Sequence, residues 1–217
     1  MGDAYSPLKA LRHLDVVQAV RDRRPARPVH VQIILSDLCN QACDFCAYRD
    51  PAYSSSQLFY EIKPRGPGLR RDGDHPERNY NPARMIPHAK AIEILDDCVL
   101  MGVEGIQFTG GGEPTVHPGF DGVAAHAHAR GLAFSLVTNG VNVVKRDWVE
   151  IVARAAWVRI SIDAGSAETY ARMRHAPAEH FAAAWAAAKA ARWISFGSSL
   201  RRPRSSRVRR AQKPPAL

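Results

Sequence analysis

The stretch VHVQIILSDLCNQACDFC, residues 29–46, joins an apolar run to three of the four cysteines in the chain. Residues 29–35 follow a proline and are rich in β-branched side chains, which predicts a buried strand. Cys39, Cys43 and Cys46 come directly after this strand. The stretch therefore predicts a strand that ends in a metal-binding or redox loop.

The composition limits the class of protein. With 217 residues, of which 46% are hydrophobic and 24% charged, the chain can form one globular domain with a sizeable core. We find no apolar run long enough to span a membrane and no cleavable signal pattern at the N-terminus, so we expect a cytoplasmic protein without a membrane partner. In a reducing cytosol, clustered cysteines favour metal or redox chemistry over a disulfide.

The positive charge is concentrated at one end of the chain. The net charge is +9, and residues 193–217 hold seven of the 30 Lys and Arg residues and none of the acidic ones. This segment lacks the interleaved aromatic residues of a single-strand binder. We predict a basic disordered tail, and nucleic acid is not an expected partner.

Three further segments are predicted from periodicity and composition. Residues 1–28 form an N-terminal helical extension, with an amphipathic helix over 7–23. Residues 49–84 are rich in Pro, Gly, Arg and Asn without a clear period, which predicts a long loop. Residues 86–102 read as a helix whose apolar stripe contains Cys98, so this thiol is predicted to be buried and structural.

A β/α repeat follows. Apolar strands are predicted over 104–109, 132–138 and 157–163, with helical stretches around 120–130 and 146–155. The spacing of these strands favours parallel pairing through helical crossovers, and therefore an α/β fold. Polar residues follow each strand, at the edge where β/α barrels place their chemistry.

Three clustered cysteines could bind either of two metal centres, a structural zinc ion or a 4Fe-4S cluster. Structural zinc favours four ligands, usually from paired C-x2-C units, and only Cys43 and Cys46 form such a pair. A 4Fe-4S cluster has four irons, so three thiolates leave one iron free to bind something else.

The spacing C-x3-C-x2-C, with Asn40 after the first cysteine and Phe45 before the last, resembles the signature of the radical S-adenosylmethionine (radical SAM) superfamily. The segments GIQFTGGGEPTVHP, LVTNG and RISIDAGSAETYARMR are similar to later elements of that family, and the resemblance covers about residues 29–192. It implies a partial (β/α) barrel in which about four of six β/α units are present.

The resemblance also implies the cofactors and the site. Cys39, Cys43 and Cys46 would bind a 4Fe-4S cluster whose open iron is chelated by S-adenosylmethionine (SAM). Reductive cleavage of SAM would give a 5′-deoxyadenosyl radical that abstracts hydrogen from a substrate. Phe45 would lie near the adenine or pack in the core. The remaining cofactor contacts are expected at the ends of the later strands: Gly110, Gly111, Gly112, Glu113, Pro114, Thr138, Asn139, Ser161 and Asp163.

The resemblance implies an electron donor of the flavodoxin or ferredoxin type and a substrate that is a peptide, a protein or a small molecule. No fifth apolar strand follows residue 192, which predicts a core truncated at its C-terminal side. Two alternatives stay open. One is an inactive or partner-completed fragment of such an enzyme. The other is a zinc-dependent nucleic-acid-binding protein that uses Cys39, Cys43, Cys46, Cys98 and the basic tail.

Overall fold

The computed structural model describes residues 9–49 and 85–198. The predicted loop beyond Arg49 and the predicted tail from residue 199 lie outside the described residues. Short 3-10 helices cover Lys9–His13, Ala47–Arg49 and Pro114–Val116. The helices are α1 (Leu14–Arg21), α2 (His88–Leu100), α3 (Phe120–Ala129), α4 (Val141–Lys145), α5 (Val149–Val152), α6 (Ala167–Arg174) and α7 (Glu179–Ser198).

Four strands form one parallel sheet in the order β1-β2-β3-β4. They are β1 (His30–Ile33), β2 (Gly105–Phe108), β3 (Ala133–Thr138) and β4 (Trp157–Ile160). Ile33 is opposite Phe108 and Thr138 is opposite Ile160, so the carboxyl ends of all four strands meet at one edge. The predicted α/β fold with parallel strands is confirmed.

The core lies between this sheet and the helices that cover it. Ile106 and Phe108 of β2 are fully buried, and they share one hydrophobic cluster with Leu95 of α2 and Phe120 of α3. Cys98 belongs to the same cluster and is only 2% exposed. The prediction that Cys98 is a buried structural thiol is therefore confirmed.

Some elements differ from the prediction. The helix expected around 146–155 is replaced by the two short helices α4 and α5, because Asp147 between them adopts a left-handed conformation (φ 54°) that an α-helix cannot continue through. The last helix, α7, continues to Ser198, past the predicted start of the tail. None of the helices in the described ranges combines the length and apolar character needed to cross a bilayer.

Candidate functional site

The cysteines lie on residues 36–46, called the cysteine loop, which follow β1 at the carboxyl edge of the sheet. All three are free thiols. Cys43 and Cys46 line an open cavity of about 660 Å³ together with neighbouring loop residues and His175. Cys39 is exposed beside it. The fold therefore presents three thiols at the sheet edge where the sequence predicted chemistry.

The predicted glycine element packs directly against the cysteine loop. The Gly112 amide donates to the Ser36 carbonyl, and the Glu113 amide donates to the Leu38 carbonyl, each with 2.9 Å between N and O. A Cβ atom on Gly112 would stand 2.1 Å from the Leu38 carbonyl oxygen. Gly111 has φ +87°, a conformation that favours glycine. Glycine is therefore required at Gly111 and Gly112 for the two segments to meet.

Glu113 joins the ends of β2 and β3. Its Oε1 accepts hydrogen bonds from the Thr115 amide (3.0 Å), the Thr115 hydroxyl (2.6 Å) and the Thr138 hydroxyl (2.6 Å). Its Oε2 accepts from the Asn139 amide at 2.7 Å. Burial raises the pKa of Glu113, and these donors oppose the rise because they stabilise the charged form. The carboxylate is thus held in one orientation by the chain itself.

Asn139 extends this network to the cysteine loop. Its Nδ2 donates to Oδ1 of Asn40 at 2.6 Å, and its Oδ1 accepts from the Val141 amide at 3.1 Å. Thr138 accepts from the Gly140 amide at 2.9 Å while donating to Glu113. The structure therefore brings the predicted residues of β2, β3 and the cysteine loop together.

The C-terminal end of α6 packs on the other side of the cysteine loop. The amides of Ala42 and Asp44 donate to the carbonyls of Arg174 (2.9 Å) and Met173 (3.1 Å). His175 pairs with the Asp44 carboxylate. Carbonyls at a helix end have no partner within the helix, and here the cysteine loop supplies the donors.

The residues predicted after β4 contact the site through Arg174 and Thr138. Asp163 forms an ion pair with the buried Arg174 and keeps half of its side-chain surface exposed. The Ser161 amide donates to the Thr138 carbonyl at 2.9 Å. Pro114, behind the glycines, is buried as the first residue of a 3-10 helix.

Phe45 is 52% exposed, so the alternative that it packs in the core is wrong. Its ring instead faces the Arg174 guanidinium, with 5.7 Å between the guanidinium carbon and the ring centroid. The expected position of Phe45 near an adenine stays a prediction.

Burial in the cysteine loop desolvates the thiols of Cys39 and Cys43. Burial raises the pKa of Cys39 to about 11, although one side of the residue is exposed to solvent. Burial also raises the pKa of Cys43, and the Arg174 guanidinium opposes that rise. Because metal ligation requires the thiolate, a metal centre that binds here must displace protons.

The donor set fits a 4Fe-4S cluster better than a single ion. Within residues 9–49 and 85–198, no three His, Cys, Asp or Glu side chains are grouped to hold one metal ion. Structural zinc is held by four protein ligands, whereas a 4Fe-4S cluster held by three thiolates keeps one iron open. Three thiols on one loop therefore match the cluster.

The zinc-dependent nucleic-acid-binding alternative has no support. It required Cys98 as a fourth ligand, but Cys98 packs in the hydrophobic core with Leu95 and Ile106.

The sequence prediction missed three buried residues that join the cysteine loop to α6. Gln41 is 6% exposed, Arg174 is 4% exposed and Tyr170 is fully buried, and hydrogen bonds connect them in a chain. The signal available was a Tyr and an Arg four residues apart, a spacing that would place both on one face of a helix. That spacing alone does not show which element the face contacts.

Comparison with known proteins agrees with this geometry. The family model of the radical SAM superfamily matches residues 33–199. A curated relative, the S-adenosylmethionine-dependent nucleotide dehydratase of Flammeovirga pacifica, is 27% identical over 139 residues, which cover 64% of this chain. The matched part is 40% of the relative's length, so the chain spans well under half of it.

Two solved structures share the fold. SuiB of Streptococcus suis bound to S-adenosylmethionine has a TM-score of 0.54 at 18% identity, covering 89% of this chain and 39% of that one. SuiB bound to the precursor peptide SuiA has the same TM-score at 17% identity, covering 88% of this chain and 37% of that one. At these identities the likeness concerns the fold alone, and it confirms the predicted partial (β/α) barrel.

The matching family model extends from β1 through the cysteine loop to the last described helix, and the parallel sheet presents the three thiols at its carboxyl edge. The chain therefore belongs to the radical SAM superfamily, whose cofactors are a 4Fe-4S cluster and S-adenosylmethionine.

Proposed function

We propose that this chain is the cofactor-binding core of a radical SAM enzyme, with a 4Fe-4S cluster held by Cys39, Cys43 and Cys46. The observation that carries the proposal is the pair of backbone hydrogen bonds from Gly112 and Glu113 to the cysteine loop. These bonds fix the glycine element beside the three thiols, so the predicted SAM contacts lie next to the predicted cluster ligands.

When bound, the cluster and SAM supply a 5′-deoxyadenosyl radical that takes hydrogen from an unreactive carbon of the substrate. The chain supplies ligands, orientation and seclusion. Glu113 is held by four donors, and its Oε2 takes only one of them. A carboxylate oxygen has two lone pairs, so Oε2 keeps acceptor capacity for the ammonium group of SAM.

The other predicted contacts are proposed in the same roles. Burial of Thr138 and Asn139 at the end of β3 gives them fixed orientations. Asp163, half exposed at the end of β4, keeps carboxylate surface for a ribose diol. The full set of proposed SAM contacts is Phe45, Gly110, Gly111, Gly112, Glu113, Pro114, Thr138, Asn139, Ser161 and Asp163.

The substrate class is proposed from two relatives. The curated relative is named as a nucleotide dehydratase, and SuiB is named with a precursor peptide. The relative at higher identity favours a nucleotide as the first substrate to assay, and a peptide as the second. The electron donor is proposed to be of the flavodoxin or ferredoxin type.

A second candidate function is a fragment that is completed by a partner. It is favoured by the share of the relative that the chain spans, which is 40%. In this case the chain holds the cluster and SAM, while substrate binding requires residues from elsewhere.

The test is anaerobic reconstitution followed by iron and sulfide analysis and ultraviolet-visible spectroscopy. We expect about one 4Fe-4S cluster per chain and its loss when Cys39, Cys43 or Cys46 is changed to Ala. Cys98→Ala is the matched control, since it removes a thiol from the core, and it should keep the cluster. Bound zinc without labile sulfide, or metal loss in Cys98→Ala, contradicts the proposal.

SAM binding is tested on the same samples. Addition of SAM should change the electron paramagnetic resonance signal of the reduced cluster, because SAM binds at the iron that lacks a cysteine. Glu113→Ala should weaken this response while the cluster remains. An unchanged signal in the wild-type protein would show that no open iron is available.

A further inference from the structure

A buried cation lies directly beneath the cysteine loop. The side chain of Arg174 is 5% exposed, and its Nη1 donates to Oε1 of Gln41 at 2.7 Å. The same Nη1 lies 3.9 Å from Sγ of Cys43. Its Nη2 pairs with the Asp163 carboxylate. One guanidinium thus contacts a predicted cluster ligand and the loop residue two positions before it.

The surroundings fix this cation in place. The guanidinium carbon lies 5.0 Å from the centroid of the Tyr170 ring, and the Tyr170 hydroxyl accepts from Nε2 of Gln41 at 2.7 Å. Hydrogen bonds and a cation-π contact therefore connect Gln41 of the cysteine loop with Tyr170 and Arg174 of α6. The planar guanidinium fork suits this set of partners, and a Lys ammonium does not.

Stability alone does not account for the burial of Arg174. Its Nε is buried and finds no acceptor among the described residues. Burying an arginine with an unsatisfied donor is costly, and an apolar side chain would fill the same space at lower cost. Buried polar groups without a hydrogen-bond partner are found at functional sites more often than elsewhere.

The charge of Arg174 has a defined electrostatic effect at Cys43. The C-terminal end of α6 carries partial negative charge and faces the loop through the carbonyls of Met173 and Arg174. The counter-ion Asp163 is half exposed, so solvent screens it more than the buried guanidinium. The guanidinium therefore offsets the negative helix end beside the thiol of Cys43.

We infer that Arg174 is a positioning residue for the cysteine loop that also raises the reduction potential of the cluster bound there. This inference rests on the proposed function. A reduced cluster carries one more negative charge than the oxidised cluster, so a buried cation near its ligand sulfur stabilises the reduced form. The hydrogen bond to Gln41 meanwhile holds the loop between Cys39 and Cys43.

The test compares Arg174→Met with Arg172→Met in SAM-free, reconstituted protein. Arg172 lies on the same helix and is exposed, so its replacement makes the same change in net charge away from the loop. In Arg174→Met, the ratio of reduced to oxidised cluster at a fixed potential should fall about tenfold, which is about 59 mV for a one-electron couple. Arg172→Met should match the wild type.

A second variant covers the case in which Arg174→Met does not fold. Arg174→Lys keeps the charge but loses the planar guanidinium with its several donors. Its cluster should therefore stay close to the wild-type reduction potential but release iron to a chelator several-fold faster. Circular dichroism of the apo-protein shows which variants are folded.

The outcomes separate this inference from the proposed function. If the wild type assembles no cluster, both fail. If it assembles one, and Arg174→Met has the same potential as Arg172→Met, the inference is overturned while the proposed function stands. A normal potential with loss of the SAM-induced spectral change also overturns it, because Arg174 would then act as a ligand contact. Iron release from Arg174→Lys at the wild-type rate overturns the positioning role.

Discussion

Gly112 lies so close to Leu38 that any side chain on it would collide with the main chain of the cysteine loop. The added Cβ would be 2.1 Å from the Leu38 oxygen and 2.6 Å from the carbonyl carbon of Asp37. These are main-chain atoms, so neither can swing away as a long side chain could. The contact makes Gly112 the residue that sets the distance between the end of β2 and the cysteines.

Gly112→Ala should destabilise the apo-protein by about 3 kcal/mol and prevent cluster assembly, because the loop must move and its two hydrogen bonds to residues 112–113 must break. Urea unfolding and iron analysis measure the two effects. Gly165→Ala is the control, since a Cβ there meets nothing within 4 Å. A variant at Gly112 with normal stability and a full cluster contradicts the close packing.

Glu113→Gln should cost about 1–3 kcal/mol, because the amide NH2 cannot accept the hydrogen bonds that the carboxylate receives. The difference in unfolding free energy between the wild type and Glu113→Gln should also depend on pH. Burial raises the pKa of Glu113 above the ordinary value of 4.5, so the folded chain holds this proton at a pH where the unfolded chain has lost it. The stability that Glu113 contributes is therefore full below pH 4.5 and falls as pH rises through the folded pKa.

Urea unfolding of apo-protein over a range of pH measures this dependence. The wild type should lose stability relative to Glu113→Gln as pH rises. Glu150→Gln is the charge-matched control, because Glu150 is exposed on α5, and it should follow the wild type. An unfolding free energy difference that is constant with pH would show that Glu113 does not titrate differently in the folded state.

Alkylation of apo-protein should show slow, strongly pH-dependent labelling of Cys39. With a pKa of about 11, about one Cys39 side chain in ten thousand is a thiolate at pH 7, and its labelling rate should rise about tenfold per pH unit. Mass spectrometry of peptides labelled with iodoacetamide measures this rate. Buried Cys98 provides an internal reference that labels only when the core opens. A rate at Cys39 that levels off near pH 8.5 contradicts the prediction.

The chain alone should cleave SAM slowly and without coupling to a substrate. β4 lies at an edge of the described sheet, and Trp157 on it is 41% exposed, so part of an apolar face is uncovered. Exposed edges and apolar faces favour self-association and admit water to the site. The assay measures 5′-deoxyadenosine after dithionite reduction, with light scattering for the assembly state and Cys43→Ala as the inactive control. Rapid, coupled turnover by a monodisperse monomer would contradict this prediction.

The positions of the four strands were predictable because each strand lies in an apolar run that contains β-branched or aromatic residues. The predicted strand over 132–138 differs from β3, Ala133–Thr138, by one residue. The prediction from sequence periodicity was wrong where the backbone conformation of one residue ends a helix. Asp147 is such a residue, because its left-handed conformation interrupts a predicted helix. The prediction also failed for α1, where Leu14 and Val20 are exposed although the pattern predicted a packed face.

The position of the three cysteines at the sheet edge was predictable from the sequence, and the contacts that support the cysteine loop were not. The cysteine spacing and the glycine run are local patterns, and the structure brings both to the same edge. The contact between Arg174 and Gln41 joins residues far apart in the chain, and no local pattern encodes such a pairing. Phe45 was ambiguous for the same reason, because its exposure depends on which element packs above the loop.

The cysteine loop is closed on one side by residues 112–113 and on the other by residues 173–174. Both contacts join segments distant in sequence, and bringing such segments together costs loop-closure entropy that local contacts do not cost. A peptide carrying only the three cysteines would lack both supports. During synthesis the loop can take its final shape only once α6 has left the ribosome. We therefore expect stable cluster insertion into this protein to require both supports, and a chain that ends before α6 to bind the cluster weakly.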